Sequence, residues 1–194
     1  MIVVVDYGMG NLASVGNALK KLDLPWRISS DPEVVAEAEQ VILPGVGAFE
    51  DAIASLRRQG IDAAVKDVAQ RGVPLLGICL GLQLLFTESE ENGVHQGLDI
   101  IPGRVVRFAG IPYKVPHMGW NSVRYRADSA AFAGVPASSY FYFVHSYYVV
   151  PDHPGDYGIE FCCAVERGRL WATQFHPEKS GDAGLRILKN FAEI

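Results

Sequence analysis

Val73-Pro74-Leu75-Leu76-Gly77-Ile78-Cys79-Leu80-Gly81-Leu82-Gln83-Leu84-Leu85-Phe86 joins two apolar runs through a thiol flanked by glycines. The first run has the length and branching of a buried strand and the second reads as a helix, Leu80 to Thr87. Strand, tight turn and helix therefore meet at Cys79. Gly77 and Gly81 are expected to permit a strained turn in which the side chain stands clear. The helix beyond it offers free N–H groups and a positive dipole end that favour thiolate. This is a nucleophile elbow built on cysteine, and it belongs at the carboxyl edge of a parallel sheet.

The flanking sequence supplies that sheet. Ile2 to Asp6, Trp26 to Ser29, Val41 to Leu43 and Pro74 to Cys79 read as strands. Between them Leu12 to Lys21, capped by Asn11, Asp51 to Gln59 and Ile61 to Arg71 read as helices. Alternation of this kind predicts an α/β fold: an open, mostly parallel twisted sheet with helices on both faces. After Glu88-Ser89-Glu90-Glu91, expected as an acidic loop, the texture changes to short strands over Val105 to Phe108, Asn121 to Tyr125, Tyr140 to Val144, Tyr147 to Val150, Ile159 to Val165 and Leu170 to Gln174. These form an additional antiparallel region, with a turn at Arg167-Gly168 and a closing helix from Asp182 that presents Leu185, Leu188 and Phe191.

The chain has 194 residues, 49% of them hydrophobic, enough for one sizeable core, and a single domain over 1–194 is expected. Net charge is −5 and no Lys/Arg cluster stands out, which argues against nucleic acid as a partner. Met1 runs straight into the first strand without a basic, cleavable leader, and the longest apolar stretch is too short and too glycine-broken to span a membrane. A cytoplasmic protein is expected. The three cysteines, Cys79, Cys162 and Cys163, have no zinc-ligand spacing and His95, His117 and His153 form no ligand cluster, so no metal and no cofactor are expected.

A cysteine nucleophile needs a base and a group to orient that base. His176-Pro177-Glu178 follows Cys79 by ninety-seven residues, at the end of another expected strand. Pro177 biases His176 toward extended backbone, in which residues i and i+2 project to one side, so Glu178 can hold the ring. Acyl chemistry also needs N–H donors for an oxyanion. Pro44-Gly45-Val46-Gly47-Ala48-Phe49, leaving the third strand, is a glycine-rich loop that can supply one, although by itself the segment reads as an ordinary strand-to-helix turn; Leu80, first past the nucleophile, offers the other. A competing signal is Gly8-Met9-Gly10-Asn11-Leu12-Ala13, with the spacing of a dinucleotide fingerprint and Asp31 beyond it. Tyr7 and Met9 crowd that turn, and a tight turn with exposed Tyr7 and Asn11 facing a partner is the better reading.

Taken together, Pro44-Gly45-Val46-Gly47, Gly77-Ile78-Cys79-Leu80-Gly81-Leu82-Gln83 and Gln174-Phe175-His176-Pro177-Glu178-Lys179-Ser180 resemble the class I, or triad, glutamine amidotransferases. Asp6-Tyr7-Gly8-Met9-Gly10-Asn11, Pro116-His117-Met118-Gly119-Trp120-Asn121 and His145-Ser146-Tyr147 bring the likeness closer to glutaminase subunits that serve a cyclase in histidine biosynthesis. The resemblance implies a triad of Cys79, His176 and Glu178 that hydrolyses L-glutamine, with Gly47 and Leu80 as oxyanion donors. It also implies that Gln83, Glu91, His145, Ser146 and Tyr147 surround the amino-acid end of the substrate. The implied partner is a (β/α)8-barrel cyclase subunit in a heterodimer, met through Tyr7, Asn11, His117, Met118, Trp120 and Asn121. The other readings are the same triad serving a different synthase, and a dinucleotide-binding module on Gly8 to Ala13.

Overall fold

In a computed structural model, which describes residues 1–110, 114–152 and 161–194, the first half of the chain alternates strand and helix: β1 Ile2–Val5, α1 Leu12–Lys21, β2 Trp26–Ser29, α2 Pro32–Ala36, β3 Gln40–Leu43, α3 Phe49–Arg58, α4 Ile61–Gln70, β4 Leu75–Ile78 and α5 Leu80–Leu84. There follow β5 Phe86–Ser89, β6 His95–Gln96, β7 Ile101–Arg107, β8 His117–Ser122, β9 Tyr140–His145, β10 Tyr147–Pro151, β11 Ala164–Arg167, β12 Leu170–Thr173 and α6 Gly181–Ala192. The main sheet has six strands in the order β11-β12-β4-β3-β1-β2. All its pairings are parallel except that of the edge strand β11 with β12. A four-stranded sheet, β10-β7-β5-β6, and a ribbon, β8-β9, complete the expected α/β architecture.

Each buried strand feeds two cores, because successive side chains point to opposite faces. Val3, Val5, Val41, Leu43 and Leu75 pack with Val35 of α2, Phe49, Ile53 and Leu56 of α3 and Val65 and Val68 of α4. Ile2, Val4, Ile42, Leu76 and Ile78 face the other way, onto Val15 and Leu19 of α1 and Ile187, Leu188 and Phe191 of α6. Helices thus cover both faces, as expected, and the strands read as continuous apolar runs for that reason. Cys162 belongs to the first core and Cys163 packs against the second. Among the described residues no helix is long and apolar enough to cross a membrane.

Departures from the sequence expectation have tertiary causes. The helix after Cys79 ends at Leu84 rather than Thr87, and Phe86–Ser89 turns into β5. From Phe86 the chain pairs as a strand with β6 and β7 instead of continuing the helix, and the carbonyls at the helix end bond across to the next segment, Leu84 accepting from Leu98 at 2.8 Å and Leu85 from Ile100 and Ile101, each at 2.9 Å. α3 starts at Phe49, ahead of the expected Asp51, because the Glu91 carboxylate accepts the Phe49 N–H at 2.8 Å. The short helix α2, capped by Asp31 with Pro32 in its first turn, is too brief to show a period in sequence. β8 lies over His117–Ser122 rather than Asn121 to Tyr125, since pairing with β9 decides the register while Val123 and Tyr125 leave the ribbon, the latter to stack on Phe132. The expected strand Ile159 to Val165 falls partly outside the described residues, as does His153. Its described part is a bridge at Cys162 followed by β11, which turns into β12 through Gly168 at φ +60°.

One close approach organises the layer. A Cβ on Gly81 would stand 1.9 Å from the Leu43 carbonyl oxygen, so α5 can lie against the end of β3 only with glycine there. Gly81→Ala is expected to lower the unfolding free energy by at least about 3 kcal/mol in urea titration, through overpacking against backbone. Gly72→Ala, at φ +70° with no neighbour within 4 Å, costs only about 1 kcal/mol from backbone strain; equal losses in the two would contradict the packing account.

Candidate active site

β4 delivers Cys79 to the carboxyl edge of the sheet, where its backbone adopts φ +56°, ψ −110°. The strain therefore sits on the cysteine itself. Gly77 and Gly81, expected to permit such a turn, do so through space rather than through positive φ angles of their own: a Cβ on Gly77 would lie 3.0 Å from the Gly81 carbonyl group. The Cys79 N–H donates to the Thr173 carbonyl at 2.7 Å, and its own carbonyl accepts from Leu82 at 3.0 Å. The turn is thereby tied to the next strand and to the next helix at once.

β12 runs parallel beside β4 with Thr173 opposite Ile78, so the chain leaving β12 passes the thiol. His176 keeps the extended conformation expected before proline, at φ −94°, ψ +97°. Glu178 does not share an extended segment with it, however; Pro177–Lys179 form a 3-10 turn, and this turn brings the carboxylate back to the ring. The His176 Nδ1–H donates to Glu178 Oε1 at 2.8 Å, with both side chains almost wholly buried. Nε2 is buried with no hydrogen-bond partner among the described residues and is left for Cys79. Burial opposes charge on the ring, but Cys79 and Glu178 outweigh it, and the His176 pKa is pushed up to about 9. The geometry favours an imidazolium beside the sulfur.

Both residues line a cavity of about 290 Å³, close to the small end of ligand sites, roughly 300–1,000 Å³. Gly47, Leu80, Gln83, Glu91, His145, Ser146 and Tyr147 line it too. Every residue expected at the oxyanion and at the amino-acid end of a substrate is thus brought to one place. Glu91, in the turn after β5, is half-buried, with its carboxylate against the first N–H of α3. Gln83 donates to the Tyr147 carbonyl at 3.2 Å and to Gln174 Oε1 at 3.0 Å. Gln174, fully buried, in turn donates to Cys79 Sγ at 3.7 Å. No role was expected for Gln174; its place two residues before His176 on the same strand end was the available signal.

A hydrogen-bonded chain fixes the cavity rim. The Tyr147 carbonyl can only accept, so His145 Nδ1 carries the proton of their 2.7 Å bond. His145 Nε2 then accepts from His117 Nδ1 at 2.9 Å, and His117 Nε2 accepts from Asn121 Nδ2 at 2.9 Å. Burial pushes His145 down to about 4 and lowers His117, so both rings are neutral at neutral pH.

The partner candidates divide. Met118 and Trp120 are exposed on β8, at 66% and 54%, and Tyr140 joins them at 58%. Asn121 is exposed and His117 half-buried. Asn11 is half-buried, its side chain accepting from the Ser14 N–H at 3.2 Å as the cap of α1. Tyr7 was expected to be exposed and is 1% accessible, so its ring cannot meet a partner. The Gly8 to Ala13 loop is occupied internally: the Gly8 N–H bonds Asp6 Oδ1 at 3.0 Å, and a Cβ on Gly10 would meet Pro44 Cγ at 3.2 Å.

Comparison with known proteins gives consistent matches. The family model described as "Glutamine amidotransferase class-I" matches residues 3–194. The chain is 55% identical over 200 residues to "Imidazole glycerol phosphate synthase subunit HisH" of Moorella thermoacetica, covering 100% of this chain and 94% of that one. The protein of the same name from Geobacillus kaustophilus is 49% identical, with 100% and 97% covered. Among solved structures, "Crystal structure of glutamine amidotransferase" superposes with a TM-score of 0.73 at 21% identity over the whole of both chains. "Structure of PurLQS from Thermotoga maritima" gives 0.72 at 16%, covering 99% and 97%. At these identities the structural likeness speaks to the fold.

The raised His176 pKa has a measurable sign. Because about 9 exceeds the ordinary 6.5, the protonated ring stabilises the fold in full below pH 6.5, and that contribution is lost as pH rises through 9. In NMR titration His176 is expected to deprotonate near pH 9, and Glu178→Gln to lower that midpoint by at least about one unit. A midpoint near 6.5 in the wild type would contradict the assignment.

Proposed function

The chain belongs to the class-I glutamine amidotransferases, and on that premise we propose that Cys79, His176 and Glu178 are its catalytic triad and that it hydrolyses L-glutamine to glutamate and ammonia. The observation that carries this is the meeting of Cys79 and His176, ninety-seven residues apart in sequence, in one cavity whose rim also holds Gly47 and Leu80. The thiolate attacks the carboxamide carbon, and the N–H groups of Gly47 and Leu80 receive the oxyanion. Collapse breaks the C–N bond as His176 Nε2 gives its proton to the leaving nitrogen, which departs as ammonia. The neutral ring then takes a proton from water, whose oxygen attacks the glutamyl thioester. Glutamate leaves, and thiolate and imidazolium are restored. Glu178 holds the ring through its bond to Nδ1. Glu91 offers a counter-charge for the substrate ammonium, with Gln83 and His145 to Tyr147 around it.

Free ammonia in water takes up a proton and is then no nucleophile, so the product is passed to a partner. The chain works as the glutaminase subunit of an imidazole glycerol phosphate synthase in histidine biosynthesis, in the cytoplasm. Its partner is a (β/α)8-barrel cyclase that adds the nitrogen to a phosphoribulosyl-imidazole carboxamide nucleotide. The products are imidazole glycerol phosphate and an aminoimidazole carboxamide ribonucleotide. Support for the docking face comes from β8-β9: Met118 lies opposite Val144, which lines the cavity, and Trp120 packs edge-on to Tyr142 with centroids 6.0 Å apart. Exposed aromatic and methionine side chains beside the mouth suit the desolvated centre of an interface.

Glutamate release measured with the cyclase and its nucleotide should fall at least about 1,000-fold in Cys79→Ala. Trp120→Ala should leave thermal stability unchanged and weaken cyclase binding about tenfold or more in calorimetry. Activity retained by Cys79→Ala would refute the triad, and unaltered binding by Trp120→Ala would refute the docking face.

A further inference from the structure

Tyr7 is a buried tyrosine whose ring a phenylalanine could replace, yet it keeps a polar atom inside the core, where an unmet hydroxyl is costly. The hydroxyl donates to the Pro44 carbonyl at 2.9 Å. It reaches that oxygen because residue 45 is glycine: a Cβ there would lie 2.6 Å from the Tyr7 oxygen and 2.8 Å from Leu80 Cβ. The backbone carbonyl of Tyr7 is held as well, accepting from Ser55 Oγ at 2.6 Å and Gln59 Nε2 at 3.2 Å. Ser55 lies in α3 and Gln59 caps its end, and α3 is the helix into which the Pro44–Ala48 loop runs. One residue therefore grips the loop where it leaves β3 and the helix where it ends. Met9, two residues on, supports the middle, since a Cβ on Gly47 would stand 2.8 Å from Met9 Cε.

We infer that Tyr7 is a positioning residue for glutamine hydrolysis, fixing through Pro44 and α3 the loop that carries the Gly47 oxyanion donor. The inference rests on the proposed role of Gly47. Pro44 C=O and Gly45 N–H share one rigid peptide plane, so anchoring the carbonyl sets the direction in which the chain approaches Val46 and Gly47. Gly47, at φ +97°, occupies backbone that an unanchored glycine would leave readily. A donor held in place before reaction stabilises the oxyanion without reorganising, and that benefit appears in turnover rather than in substrate affinity. Burial and the charge at Cys79 push the Tyr7 phenol above its ordinary range, so it remains a donor throughout.

The test compares wild type, Tyr7→Phe and Ser55→Ala as full chains in complex with the cyclase subunit and its nucleotide. Deleting an oxyanion donor costs about 100- to 1,000-fold; loosening one through Tyr7→Phe should lower kcat about tenfold and leave the glutamine KM within about twofold. Alkylation of Cys79 by iodoacetamide, followed on the Cys79 peptide by mass spectrometry, needs the nucleophile but no oxyanion donor and should keep its wild-type rate. Should Tyr7→Phe fail to fold, Ser55→Ala, which frees only the α3 end, should show the same pattern at about threefold. Unchanged or raised kcat, or alkylation slowed as much as turnover, would overturn the inference. Glutamate release by wild type separates the two claims: its absence defeats glutamine hydrolysis itself, whereas wild-type turnover matched by the variants defeats only the role of Tyr7.

Discussion

The structure depends on a cysteine held in backbone that L-residues avoid. At φ +56°, ψ −110° Cys79 stores on the order of 1–3 kcal/mol of strain, which persists only where its surroundings over-determine it. They do so here from three directions. Thr173 on β12 takes its N–H, Leu82 on α5 donates to its carbonyl, and Gly81 lets α5 press against the end of β3. Relaxing the turn would disturb β3, β4 and β12 together. The strain is the means by which the sulfur is brought to the carboxyl edge, where His176, leaving the adjacent strand, can meet it.

Much of this was legible in the chain because its cause is local. Parallel strands buried on both faces must be apolar throughout, and β1 to β4 were found to within a residue or so. Asn11 caps α1 by a bond three residues along, a distance over which sequence pattern carries information. The Cys79, His176 and Glu178 set was readable because each sits in a stretch whose composition makes sense only with the others. The expected route to Glu178 was nonetheless wrong in detail: a 3-10 turn, not an extended run, returns the carboxylate to the imidazole.

What escaped sequence reading depends on partners far away along the chain. Tyr7 meets Pro44 across 37 residues, Glu91 meets Phe49 across 42, and Gln174 meets Cys79 across 95. No periodicity or spacing encodes such bonds. Tyr7 beside Gly8 looks like a solvent-facing turn until the sheet order sets β1 next to β3. The end of α5 at Leu84 likewise goes with the pairing of Phe86–Ser89 as a strand with β6 and β7. Local propensity yielded in each case to hydrogen bonds that only the assembled fold supplies.

The central claim is that a strained thiolate, paired with a buried imidazolium, forms a covalent bond to glutamine. Its most direct measurement is acid-quenched mass spectrometry of the complex during turnover, with the Cys79 peptide resolved from the Cys162-Cys163 peptide. A glutamyl adduct on Cys79 that appears with glutamine and decays as glutamate accumulates is the expected result. Steady glutamate release with no adduct there, or with the adduct on Cys162 or Cys163, would contradict it.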